Sequence, residues 1–239
     1  MKKTIYQKRN DWTILKSELD RKMLDTSART NIKDCDWHDD FVPHLSNQYW
    51  EKSGRNKTAI DIGASYGWMS VGFAKHFKEV NCFEVREDVR YALKLNVKSF
   101  SNINVFDCGL SSTSTNVLLS ESMRTGTTRI GNYPNSSLTG TVHPLDSFKF
   151  KNVDLIKIDV EWHELEVLIG AKETIEKYKP LLVVETHCSR GYDNFLHRQR
   201  VFKFLKDMDY QIDDIRLNDI IYTHISEIPF VHIGEKNES

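Results

Sequence analysis

"AIDIGASYGWMS", residues 59–70, decides how the chain is read. An apolar run carries one acid, Asp61, then turns at Gly63 and Gly67 into a second apolar stretch with helical spacing. That pattern is a strand, a tight turn and a helix, the opening unit of an open α/β sheet. Ligands of such sheets lie beyond the carboxyl ends of the strands, where the strand order reverses. The turn Gly63, Ala64, Ser65, Tyr66, Gly67 therefore borders a candidate site. The dinucleotide fingerprint puts glycine where the backbone must approach a pyrophosphate. Here the glycines are spaced differently and a carboxylate precedes them, which a pyrophosphate would resist. A ligand with a cationic end fits better.

Working outward, strand and helix patterns alternate from residue 58. "VNCFEV", "INVFDC", "VDLIKIDV" and "LLVVET" read as further strands, and "REDVRYALKLNVKSF", "HELEVLIGAKETIEKYK" and "RQRVFKFLKDM" as helices. Alternation of this kind predicts a mostly parallel sheet with helices on both faces. "YQIDDIRL" and "DIIYTHI" are too close for a helix between them, so they are expected to pair antiparallel. Residues 111–141 are rich in Ser, Thr, Gly and Asn and read as an insertion loop, a hairpin or lid after the third strand. Ahead of the core domain, 58–233, residues 1–57 place Trp12, Leu15, Leu19 and Met23 at helical spacing, and "FVPHLSNQYWEK" suggests a second short helix. Together they predict an N-terminal helical cap; residues 234–239 read as a disordered tail.

The composition narrows the partners. Lys plus Arg and Asp plus Glu nearly balance, giving a net charge of −1 over 239 residues. That argues against nucleic acid or an anionic membrane as the main partner. The basic run around His197, Arg198 and Arg200 reads as one solvated helix face. Cys35, Cys82, Cys108 and Cys188 have no CxxC spacing, which points to a reduced protein without disulfide frame or structural zinc. With no secretory h-region and no apolar run near the ~20 residues of a membrane span, a cytoplasmic location is expected.

S-adenosylmethionine matches the site: its ammonium suits Asp61, and its carboxylate suits the amides at the following helix start. Glu84, 21 residues beyond Gly63 and followed by Val85, ends the second strand, where it can accept both ribose hydroxyls. Asp107, followed by Cys108, ends the third and either accepts from the adenine amino group or caps a turn.

"AIDIGASYGWMS", "CFEV", "PLDSF", "VDLIKIDVEWHELEVLIGA" and "KPLLVVETH" together resemble the FkbM-type S-adenosylmethionine-dependent methyltransferases over roughly residues 58–190. The resemblance implies a Rossmann-like class I methyltransferase sheet of seven strands in the order 3-2-1-4-5-7-6. It also implies O-methylation of a hydroxyl on a sugar, glycan or other small metabolite. One position departs: the family usually has glycine after "DVE", and this chain has Trp162.

The fourth strand should be buried on both faces, and alternation puts Lys157, Asp159 and Glu161 on one side. Buried charges are costly unless paired, so they must meet partners or ligand. Glu185 and His187 share a side of the fifth strand. Asp159, Glu161, Glu185 and His187 are the candidate bases, with His187 or Asp159 favoured. A magnesium ion held by Asp159 and Glu185 is the rival chemistry, and a structural Lys157–Asp159 pair is the plain one. Trp162 either stacks on an acceptor or packs over its own helix, and His163 begins that helix or contacts substrate. Arg124 and Arg129 in the insertion are candidates to clamp an anionic acceptor. Two other functions remain open: a non-catalytic cofactor-binding scaffold, and methylation of a macromolecule, which the absence of "[DN]PP[YF]" and of a broad basic surface disfavours.

Overall fold

The computed structural model describes residues 6–9, 12–15, 54–120, 128–186, 192–216 and 219–227. Seven strands form the central sheet: β3 (Thr58–Ile62), β4 (Glu79–Phe83), β5 (Ile103–Phe106), β9 (Val153–Ile158), β10 (Leu181–Glu185), β11 (Tyr210–Arg216) and β12 (Asp219–His224). Their order across the sheet is β11-β12-β10-β9-β3-β4-β5. Counted from β3, this is 3-2-1-4-5-7-6, read from the β5 edge. Six strands run in one direction, and β12 runs antiparallel between β10 and β11.

Alternation along each central strand explains the two cores. Ala59, Leu155, Val183 and Ile221 point to one face, under α1 (Trp68–Ala74) and α2 (Glu87–Val97). Ile60, Ile156, Val184 and Ile220 point to the other, under α3 (Glu164–Gly170), α4 (Lys172–Tyr178) and α5 (Tyr192–Lys206). The helical stripe read as one element after residue 163 is two, because Ala171 leaves helical geometry at φ −109° and ψ 5°. Three short strands make a separate sheet in which β8 (Thr139–His143) lies between β6 (Gly109–Leu110) and β7 (Thr115–Leu118). β7 and β8 pair antiparallel, so the polar 111–141 stretch leaves the domain and returns as a ladder.

The N-terminal expectation needs correction. Trp12–Leu15 form a strand, β2, paired with β1 (Tyr6–Arg9), rather than a helix turn. All four residues of β2 are buried: Trp12 meets Trp68 edge to face at 6.0 Å, and the local apolar content is spent on packing. Asn96 of α2 fixes this strand. Its Oδ1 accepts from the Thr13 amide at 2.7 Å, and its Nδ2 donates to the carbonyls of Thr13 and Tyr66. Leu19, Met23, the 41–52 stretch, Cys35, Cys188 and the 234–239 tail lie outside the described residues. Cys82 and Cys108 are free and buried. Among the described residues no helix is long and apolar enough to cross a membrane.

Candidate active site

A cleft opens at the carboxyl ends of β3, β4 and β9. Its floor is Ile62, Gly63, Ser65 and Phe83; Glu84, Val85, Gly109 and Leu110 form one side, and Asp159, Val160 and Glu161 the other. Thr128 and Ile130, from the insertion, also line it. A wider depression at the opposite end of the sheet, between Lys57, Lys78, Lys149 and Lys151, lies far from these strand ends and is no rival as the catalytic site.

The glycine turn is shaped by close approach. Gly63 sits at φ 80°, and a Cβ there would lie 1.8 Å from the Asp159 carbonyl oxygen. Gly67 sits at φ 94°, and a Cβ there would crowd Leu93 at 2.7 Å. At Gly63 only glycine permits both the left-handed backbone and the contact. The amides of Gly63 and Ala64 donate to the Phe83 carbonyl, locking the turn to β4. Tyr66 is fully buried, so within this turn it is a packing residue.

Glu84 is 9% exposed and faces the cleft. Its Oε2 accepts from the Ser65 amide at 3.0 Å and its Oε1 from the Arg86 amide at 2.9 Å. Burial raises its pKa, and the two amide bonds and the guanidinium groups of Arg90 and Arg86 oppose that rise. Each oxygen keeps a lone pair for a further donor. Ser65 Oγ is buried with no hydrogen-bond partner, and the apolar walls Phe83, Val85, Leu110 and Ile130 suit a flat heterocycle. This carboxylate, orphaned hydroxyl and apolar slot fit the ribose and base of S-adenosylmethionine.

Asp61 behaves differently from expectation. It is fully buried, turned under α1, and does not line the cleft. The Ser70 hydroxyl donates to its Oδ2 at 2.5 Å, the Cys82 thiol donates to Ser70 Oγ at 3.1 Å, and Oδ1 has no hydrogen-bond partner. Burial raises its pKa against the pull of Lys157 and Ser70. Direct contact with an ammonium does not fit this placement: the acid is tied to α1 through Ser70. Asp107 is also elsewhere. Its carboxylate is 69% exposed, paired with Lys94 at 2.5 Å and Arg90 at 3.3 Å, and those cations lower its pKa. Cys108 is buried beside it, its thiol pushed up to about 11 by burial. Neither lines the cleft.

The charged set is real but differently composed. Asp61 and Lys157 are lateral neighbours in the β3–β9 register, and Glu185 pairs with Asp219 across β10 and β12. All lie on the α1 face, because alternation along four adjacent strands gives them the same parity. Lys157 Nζ donates to Asp159 Oδ2 at 2.9 Å. Burial works against the Lys157 ammonium, yet Asp159, Asp61 and Asp219 outweigh it and raise its pKa. Burial, the Asp159 charge and a hydrogen bond with Asp159 push Glu185 up to about 9. Burial pushes Asp219 up to about 6. Among the described residues no group of three or more His, Cys, Asp or Glu side chains is placed to hold a metal ion. Asp219 escaped sequence reasoning, because only strand pairing brings it to Glu185.

Glu161 does not continue the alternation. The strand ends at Ile158, and Glu161 and Trp162 follow with φ of 51° and 82°, two left-handed residues in succession. The glycine usual at Trp162 answers this backbone. Trp162 does not line the cleft: its ring lies 5.6 Å from His197 of α5, and the Arg129 guanidinium sits 5.2 Å above it. Glu164, also missed, accepts from the Trp162 amide and bonds His197 Nε2 at 2.6 Å. His163 meets Ser111 Oγ at 2.9 Å, and burial lowers its pKa. Arg129 is committed to Trp162; Arg124 and His187 lie outside the described residues.

The methyltransferase FkbM domain model matches residues 34–212. The chain belongs to this family of methyltransferases. No curated protein matches it. A crystal structure of the FkbM methyltransferase from Methylobacillus flagellatus KT is similar at 21% identity and a TM-score of 0.54, over 74% of this chain and 47% of that one. This FkbM chain thus spans about half the length of that relative. Precorrin-6y C5,15-methyltransferase from Geobacter metallireducens GS-15 has 11% identity and a TM-score of 0.45, over 80% and 89% of the two chains. A Streptococcus mutans protein, SMU.1697c, solved in complex with S-adenosylhomocysteine, has 11% identity and a TM-score of 0.42, over 70% and 86%. Family and fold agree: the matched domain is a methyltransferase domain, and the sheet is that of the solved FkbM methyltransferase.

Proposed function

We propose that this FkbM protein methylates a hydroxyl of a small metabolite or glycan, with Asp159 as the base. The supporting observation is that Asp159 lines the cleft while contacting both Lys157 and Glu185. S-adenosylmethionine supplies an electrophilic methyl group on a sulfonium, already a very good leaving group. The protein's tasks are alignment and removal of the hydroxyl proton. Glu84 and Ser65 hold the ribose end, and Gly63 lets the backbone come close. Asp159 takes the proton, and Lys157, bonded to its Oδ2, keeps the carboxylate in place. Trp162 lies outside the cleft lining, which favours an enzyme over a blocked scaffold.

Calorimetric titration with S-adenosylmethionine tests the donor half. Binding by wild type with affinity at least tenfold weaker in Glu84→Ala is expected; equal affinity overturns the Glu84 assignment, and no binding overturns the function. A tritiated methyl donor, offered with a panel of sugars and hydroxylated metabolites, tests the acceptor half. Transfer should be lost in Asp159→Asn while donor binding persists.

A further inference from the structure

Residues 128–130 connect two elements that flank the cleft. Toward the β4 side, Arg86 Nη1 donates to Thr128 Oγ1 at 3.3 Å, while the same guanidinium makes a two-point contact with Asp88. Toward the β9 side, Arg129 covers the ring of Trp162. Between them, Thr128 and Ile130 face into the cleft. The segment also hangs from the end of β7: Ser120 donates its amide to the Arg129 carbonyl at 2.8 Å, Ser120 Oγ accepts the Arg129 amide at 2.9 Å, and Leu119 bridges to Ile130.

We infer that Thr128, Arg129 and Ile130 form a strap across the donor cleft, with Arg86 and Trp162 as its two stays, and that donor and product pass only when the strap lifts. The inference rests on the methyl-donor reading of the cleft. It gives Trp162 a role that glycine at the same position would not have. A bare turn after β9 offers no ring for Arg129, so that end of the strap would be loose. An exposed cation–π contact and a single long hydrogen bond are both weak, about 1 kcal/mol or less each. A latch of that strength opens readily, which a catalytic cycle requires.

The strap separates two kinds of residue by their kinetics. A stay holds the closed strap whether or not ligand is bound, so its loss speeds entry and exit together. Ile130 touches the ligand side, so its loss speeds exit alone. Stopped-flow measurement of S-adenosylhomocysteine association and dissociation distinguishes them. Arg129→Ala and Trp162→Gly, both outside the cleft lining, should each raise both rate constants about threefold, leaving the dissociation constant within twofold. Ile130→Ala should raise the dissociation constant about fivefold through the dissociation rate. Trp162→Gly removes the ring and keeps a residue suited to the left-handed backbone, so it tests the stay without straining the turn. Wild-type rates in both Arg129→Ala and Trp162→Gly, with wild-type binding intact, overturn the strap alone. Absence of binding in wild type overturns the strap and the donor reading together.

Discussion

The Lys157 ammonium lies 2.9 Å from Asp159 Oδ2, and in the sheet register Lys157 is also the direct neighbour of Asp61. One cation thus answers two carboxylates on adjacent strands, one sealed in the core and one lining the cleft. Removing Lys157 leaves buried negative charge with no counter-ion. Lys157→Met should destabilise the protein by about 3 kcal/mol, the usual cost of breaking a buried pair. Urea unfolding checks this: the midpoint should fall at unchanged slope. Asp159→Asn should cost less, since its side chain is 31% exposed.

Glu185 gives the stability curve a sign. Its folded pKa of about 9 lies above the ordinary 4.5, so the folded state keeps a proton that the unfolded chain releases. That contribution is complete below the unfolded value and is lost as pH rises toward 9. Asp219, pushed up to about 6, acts the same way at lower pH, while His163, held neutral by burial, acts oppositely below its ordinary value. Between pH 7 and 8.5 Glu185 dominates. Stability should fall there by less than about 1.4 kcal/mol per pH unit, the one-proton limit. Glu185→Gln should flatten the slope in pH-resolved thermal unfolding; an unchanged slope counts against this assignment.

Trp162 occupies backbone that glycine prefers, so its replacements should rank unusually. Trp162→Gly and Trp162→Ala lose the same contacts with His197 and Arg129, but only alanine keeps the left-handed penalty. Glycine should be the more stable of the two by about 1 kcal/mol, the reverse of the usual order. Paired denaturant curves decide it.

At the other turn, glycine has no substitute. Gly63→Ala would drive a methyl group into the Asp159 carbonyl, a backbone atom that cannot swing aside. Gly67→Ala meets only the side chains of Leu93 and Val97, which can shift. The first should cost well over 3 kcal/mol or yield no folded protein, and the second distinctly less. Soluble yield and melting temperature give the ranking.

The sheet was legible because its strands obey simple alternation and its helices a clear stripe. The position of Glu84 on the cleft was legible for a similar reason: it ends a central strand, and strand ends border the crevice of an open sheet. Asp61 is buried rather than on the cleft wall, since sequence places it beside the turn without saying which way it points. Its partner Ser70, a hydroxyl on the buried face of α1, was the available signal. Trp12–Leu15 misled because helical spacing of apolar residues cannot exclude a short buried strand. Asp219, Arg129 and Trp162 act through contacts between distant segments, which no local pattern encodes.

Asn96 ties these threads to the beginning of the chain. It grips Thr13 at both backbone atoms and, with its remaining N–H, the carbonyl of Tyr66, inside the turn that frames the cleft. Trimming residues 12–15 would bare the indole of Trp68 to solvent and strip the amide of its clients, slackening the glycine turn from behind. Residues 12–15 are a hidden buttress of the pocket, although none of them lines the cavity wall.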